Sequence, residues 1–261
     1  MKIGFIGFGN IAQALSAGFV RSAALLPTQI GACARDWAKL RAHTEPQGFN
    51  PFGSAAELVA WADVVVVAVK PHQVAEVLTP LREPLAHKIV ISVVAGYPFD
   101  QYELLLKNGT HHLSMIPNTP VSVCEGVLVC ERRHSLSDAE YAQISALFSH
   151  VGLVMPVQTE QLAITGTVCG CGPAFACLFM EALADAAVKH GVARADAYRM
   201  VSQMLVGTGK LQLETEQHPA VMKDAVCSPA GTTIVGVAEL ERMGFRAAVI
   251  AAVDAIEQKR D

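Results

Sequence analysis

The first half of the chain alternates short apolar runs with longer stretches in which apolar residues recur at helical spacing. Residues 2–7, 29–34, 63–69 and 88–94 read as strands, and 11–22, 37–43, 55–61 and 72–80 as the helices between them. Val64, Val65, Val66 and Val67 are β-branched with no polar alternation, the pattern of a parallel strand covered on both faces. Further strands are expected near Leu113 and over 127–130. Such strand–helix repeats give a doubly wound parallel sheet with right-handed crossovers, a Rossmann-type α/β domain over residues 1–156 with its ligand at the carboxyl ends of the strands.

Beyond Pro156 the pattern changes. Ala, Leu and Met dominate and β-branched runs flanked by turns stop, so residues 157–261 read as an all-helical second domain. One helix is expected over 160–190, ended by Gly191. Its first half carries Gly166, Gly170, Gly172 and Pro173. The glycines let another backbone approach, and Pro173 frees a carbonyl and can bend the helix. With Phe175, Leu178, Phe179 and Leu183 the helix is apolar on most faces, and the domain offers few elements to cover it. A partner subunit is the expected cover.

Composition strengthens that expectation. Hydrophobic residues make up 52% and charged residues 17%, which points to surface buried between subunits. No uninterrupted apolar run of about 18 residues and no basic leader with a small-residue cleavage site is seen, so neither a membrane span nor a secretion signal is expected. A net charge of −4 with scattered Lys and Arg excludes a nucleic-acid footprint. The seven cysteines, Cys33, Cys124, Cys130, Cys169, Cys171, Cys177 and Cys227, show no paired CxxC spacing. They read as small packing residues in the reducing cytoplasm, with neither a metal site nor a disulfide framework.

Gly7, Phe8, Gly9, Asn10, Ile11 and Ala12 follow the first strand and open a helix, the GxGxxA form of the dinucleotide fingerprint. Gly7 permits the tight turn, Gly9 lets backbone N–H groups reach a pyrophosphate, and Ala12 keeps helix and strand close, while the helix start favours the anion. At the end of the second strand, Arg35 favours the 2′-phosphate of NADP, with NAD possible, and Asp36 fits a ribose hydroxyl or a helix cap equally. Ala68, Val69, Lys70 and Pro71 end a buried strand at the same edge, where Lys70 serves the cofactor or is an ordinary strand-end lysine. Pro117 and Asn118, in the rigid run 116–120, stand after another strand as cofactor contacts or as a structural turn.

Late in the chain, Ser228 and Pro229 read as N-cap and first residue of a helix. The N–H groups of Ala230, Gly231 and Thr232 then point outward unpaired, an anion receptor to which Thr232 and Thr233 add neutral hydroxyls. Taken alone, the stretch reads first as a capped helix whose threonines back-bond to carbonyls.

Together these pieces resemble pyrroline-5-carboxylate reductases. Residues 228–234, Ser-Pro-Ala-Gly-Thr-Thr-Ile, are similar to that family's signature, and the pieces at 7–12, 69–71, 117–120 and 169–175 fall in the family's order along essentially the whole chain. Four positions depart from the pattern: Ala230 stands for a common glycine, Cys169 and Cys171 for serines, and Ser114 for a frequent arginine. The resemblance implies reduction of 1-pyrroline-5-carboxylate to L-proline, the last step of proline biosynthesis, by hydride from NADPH or NADH. It implies an N-terminal Rossmann domain and a C-terminal helical domain that interlocks two subunits, a homodimer with higher oligomers in some members. Ser228, Ala230, Gly231 and Thr232 would then bind substrate, and Thr233 would be the catalytic residue at the ring nitrogen.

Two other readings share parts of the pattern. A β-hydroxyacid dehydrogenase has the same two-domain plan but needs a lysine on the long interdomain helix, which offers only Lys189 at its far end. A non-catalytic NADP-binding sensor would keep the Rossmann fold but has no use for Thr233 or the turn at Pro117.

Overall fold

The computed structural model describes residues 1–259; residues 260 and 261, the end of the expected second domain, lie outside the described residues. Strands β1 (Ile3–Ile6), β2 (Ile30–Cys33), β3 (Asn50–Pro51), β4 (Val64–Val67), β5 (Ile89–Ser92), β6 (His111–Pro117), β7 (Gly126–Glu131) and β8 (Gly152–Val157) form one sheet in the order β3-β2-β1-β4-β5-β6-β7-β8. Helices α1 (Asn10–Arg21), α2 (Trp37–Thr44), α3 (Ala55–Trp61), α4 (Val74–Leu78), α5 (Arg82–Leu85), α6 (Phe99–Leu105) and α7 (Asp138–Ser149) connect them. The first six strands are parallel and carry the Rossmann order.

The valine run of β4 shows how the sequence writes this arrangement. Val64 and Val66 enter one apolar layer with Leu15 and Phe19 of α1, while Val65 and Val67 enter the other with Leu58 of α3 and Leu78 of α4. Successive strand side chains point to opposite faces, and here both faces are covered, so neither register position is left for a polar residue.

The parallel expectation fails at the last two strands. β7 runs antiparallel to β6, and β8 lies parallel to β7. Residues 118–125 join β6 to β7 and hold only a 3-10 turn, Thr119–Val123. A parallel crossover needs about a dozen residues or more, so the chain can only turn back.

The chain divides into two compact units, Met1–Cys171 and Gly172–Asp261. The division falls inside α8 (Thr159–Lys189), one helix of 31 residues that Gly191 ends at φ +95°. The second unit holds the rest of α8 with α9 (Arg194–Thr215), α10 (Pro219–Val226), α11 (Thr232–Arg242) and α12 (Phe245–Gln258). Its buried apolar side chains are few, Ala184, Ala197 and Val201, while Leu178, Leu213, Val235 and Met243 are each about two-thirds exposed. By length and composition α8 could also cross a membrane, although Pro173, Glu181 and Asp185 interrupt it. The lack of an uninterrupted apolar run did not anticipate this.

Candidate active site

A cleft of about 780 Å³ opens at the carboxyl ends of β1, β2, β4 and β5. Gly7 through Ala12, Arg35 and Ala68 through Pro71 all line it. Gly7 has φ +91°, and a Cβ placed on it would stand 2.6 Å from the Ala68 carbonyl oxygen. Only a residue without a side chain lets the chain turn this close to β4. The turn is tied down by the Gly7 N–H on the Cys33 carbonyl (2.9 Å) and by Gln13 Nε2 on the Phe8 carbonyl (2.9 Å).

Gly9 is the N-cap of α1, and the space beside its Cα is open. The N–H groups of Asn10, Ile11 and Ala12 have no intrahelical acceptor and sit at the positive end of the helix. A cradle a side chain would fill, closed by free amides, fits a pyrophosphate.

At the end of β2 the alternatives separate. Asp36 Oδ1 accepts the Lys39 N–H at 3.0 Å and caps α2. Arg35 is exposed, lines the cleft, and has no acidic partner among the described residues. Cys33 also lines the cleft; burial pushes its thiol up to about 11, so it stays protonated and unreactive near neutrality. Lys70 precedes the turn Pro71–Gln73, whose Gln73 Oε1 accepts the Lys70 N–H at 3.2 Å.

Pro117 and Asn118 are not among the residues that line the cleft. Pro117 ends β6, and Asn118 is buried with both ends of its amide engaged: Oδ1 accepts the Val127 N–H (2.9 Å) and Nδ2 donates to the Cys169 carbonyl (3.0 Å). Ser114 is buried too, its hydroxyl 3.3 Å from the Tyr97 carbonyl.

The helix start near the C-terminus also differs from its reading in sequence. Ser228 is not the cap: Gly231 is, and α11 begins at Thr232. Pro229 and the left-handed Ala230 (φ +58°) form a tight turn that returns the Gly231 N–H to the Ser228 carbonyl at 3.0 Å. A side chain on Gly231 would collide with Ser228 Oγ. The outward N–H groups are therefore those of Thr232, Thr233 and Ile234, with Gly231 spent on its own turn. Both threonines are exposed, and among the described residues neither hydroxyl back-bonds to a carbonyl.

The family model described as pyrroline-5-carboxylate reductase dimerisation matches residues 159–261. A pyrroline-5-carboxylate reductase from Treponema pallidum is 44% identical over 259 residues, 98% of each chain. The chain belongs to the pyrroline-5-carboxylate reductase family. The Escherichia coli reductase is 36% identical over all of this chain and 97% of its own length. A solved pyrroline carboxylate reductase from Plasmodium falciparum with NADP bound superposes at a TM-score of 0.88 with 27% identity, over 99% of this chain and 96% of that one. Residues 2–96 match a second model, described as NADP oxidoreductase, coenzyme F420-dependent.

Family membership accounts for the second unit. α8 is the core helix of a soluble reductase, and its apolar surface belongs to a dimerisation region, so the reductase is a homo-oligomer. The sequence reading missed Ser54, Gln73 and the segment 93–95, which line the cleft with the fingerprint. Ser54 accepts the Glu57 N–H at 3.2 Å as N-cap of α3. Its Ser-x-x-Glu spacing is a legible helix-start signal, and residues 93–95 follow β5 where the switch-point rule puts a ligand.

Proposed function

We propose that the chain reduces 1-pyrroline-5-carboxylate to L-proline with NADPH, as a cytoplasmic homodimer. The observation that carries this reading is the start of α11, where backbone donors and a free hydroxyl gather with no ionisable side chain between Ser228 and Ile234. When bound, NADPH supplies the hydride for the imine carbon. The Gly7–Gly9 cradle and the amides of α1 hold its pyrophosphate, and Arg35 holds its 2′-phosphate. Gly231 keeps the mouth of α11 open, so that the N–H groups of Thr232, Thr233 and Ile234 hold the substrate carboxylate, with Ser228 and Ala230 shaping the turn. Thr233 Oγ1 hydrogen-bonds the ring nitrogen, as donor to a neutral imine or acceptor from a protonated one. The chain's work is positioning, which needs no strong acid when the imine arrives protonated or takes its proton from water.

Mixing the purified protein with NADPH and 1-pyrroline-5-carboxylate tests the reading directly. Loss of reduced-nicotinamide absorbance with formation of proline is expected. No proline would sink it; NADPH binding without turnover favours a sensor, and oxidation of a β-hydroxyacid favours the dehydrogenase. In Arg35→Ala the preference for NADPH over NADH is expected to fall on the order of 10-fold to 100-fold, the value of a lost charge-assisted contact of about 1.5–3 kcal/mol. An unchanged preference in steady-state kinetics rejects the 2′-phosphate assignment.

A further inference from the structure

Pro173 lies inside α8 and has no N–H to give. The carbonyl four residues earlier, that of Cys169, therefore lacks its helical donor. The donor it has instead is Asn118 Nδ2, at 3.0 Å. Asn118 is itself fastened to β7 twice, its Oδ1 accepting the Val127 N–H at 2.9 Å and its own N–H donating to the Val127 carbonyl at 3.2 Å. Near the other end of β7, the buried Glu131 accepts the Thr159 hydroxyl at 2.7 Å, at the first residue of α8. Between these anchors Gly166 passes so close to β6 that an added Cβ would stand 2.7 Å from Ile116 Cδ1. Two hydrogen bonds and one tight contact thus fix the helix lengthwise against the sheet.

We propose that Asn118 is a positioning residue for reduction: it replaces the N–H that Pro173 withholds and sets the register of α8, the element that continues from the cleft-bearing unit into the unit carrying the 228–234 signature. The inference rests on the reductase reading above, and it makes the rate of hydride transfer, not cofactor affinity, depend on a residue outside the cofactor cleft. Asn118→Asp keeps the acceptor for Val127 and replaces the donor to Cys169 with a second oxygen, which faces that carbonyl without a hydrogen bond when ionised. Pro173→Ala restores a helical N–H for the same carbonyl, so the two substitutions should couple.

Asn118→Asp is expected to lower kcat on the order of 10-fold, a modest share of what a misplacement of about 1 Å can cost, with the NADPH Kd within about twofold of wild type. Adding Pro173→Ala should recover most of that kcat. The melting temperature without cofactor should follow the same cycle, Pro173→Ala raising it more in the Asn118→Asp background than in wild type. Coupling in both readouts supports the proposal, and the thermal cycle stands even where turnover cannot be measured. A raised NADPH Kd with kcat retained would make Asn118 a cofactor ligand and overturn it, as would additive effects in the cycle. Absence of proline from the wild-type protein is a separate outcome that removes the reductase reading and leaves the thermal coupling to be read on its own.

Discussion

Gly7→Val is expected to raise the NADPH Kd by on the order of 100-fold or more, measured by titration of nicotinamide fluorescence. The new Cβ would stand 2.6 Å from the Ala68 carbonyl oxygen and 3.0 Å from Val69 Cγ1. Neither can retreat, because β4 just before them is buried on both faces. A β-branched residue at φ +91° adds backbone strain of about 1–3 kcal/mol. The turn must therefore open, and the glycine cradle opens with it. Far-ultraviolet circular dichroism should stay close to wild type, since the change is confined to one strand-to-helix turn. Retained NADPH affinity in a folded variant would show that the cofactor does not use this cradle.

Thr233→Val removes a hydroxyl and keeps the shape. Position 233 is the second residue of α11, exposed, in a run from Ser228 to Ile234 that has no ionisable side chain. Loss of one donor aimed at a reacting group typically costs about 10²- to 10³-fold in kcat, and a fall of that order is expected here. The NADPH Kd should move by no more than about twofold, because the residue lies outside the fingerprint and its cleft. A fall in cofactor affinity matching the fall in rate would contradict the role given to Thr233. Stopped-flow single-turnover measurements separate the two.

The features legible in the sequence are those that a short window determines. Four consecutive valines admit only a strand buried on both faces, and Gly7 with Gly9 between a strand and a helix admits little besides an anion-binding turn. The long helix runs over Thr159–Lys189, within one residue of its expected bounds at each end. What escaped was set by choices among partners. Ser228-Pro229 opens a helix or a tight turn with equal local merit, and the left-handed Ala230 decides for the turn. Asn118 stands at an edge of the sheet where a cofactor contact and a structural turn read alike in sequence; the partner of its amide, a carbonyl 51 residues away, shows only in the fold. The reversal of β7 likewise lies in the shortness of a connection, which no hydrophobic pattern shows.

The thin interior of the second unit has a consequence for how the protein is held together. During synthesis the cleft-bearing half emerges first and has a complete core of its own. The helices that follow leave Leu178, Leu213, Val235 and Met243 exposed, in the region that matches the dimerisation model. The stability of that half in the homo-oligomer therefore depends on protein concentration: dilution loosens it, while the cleft-bearing half keeps its own core.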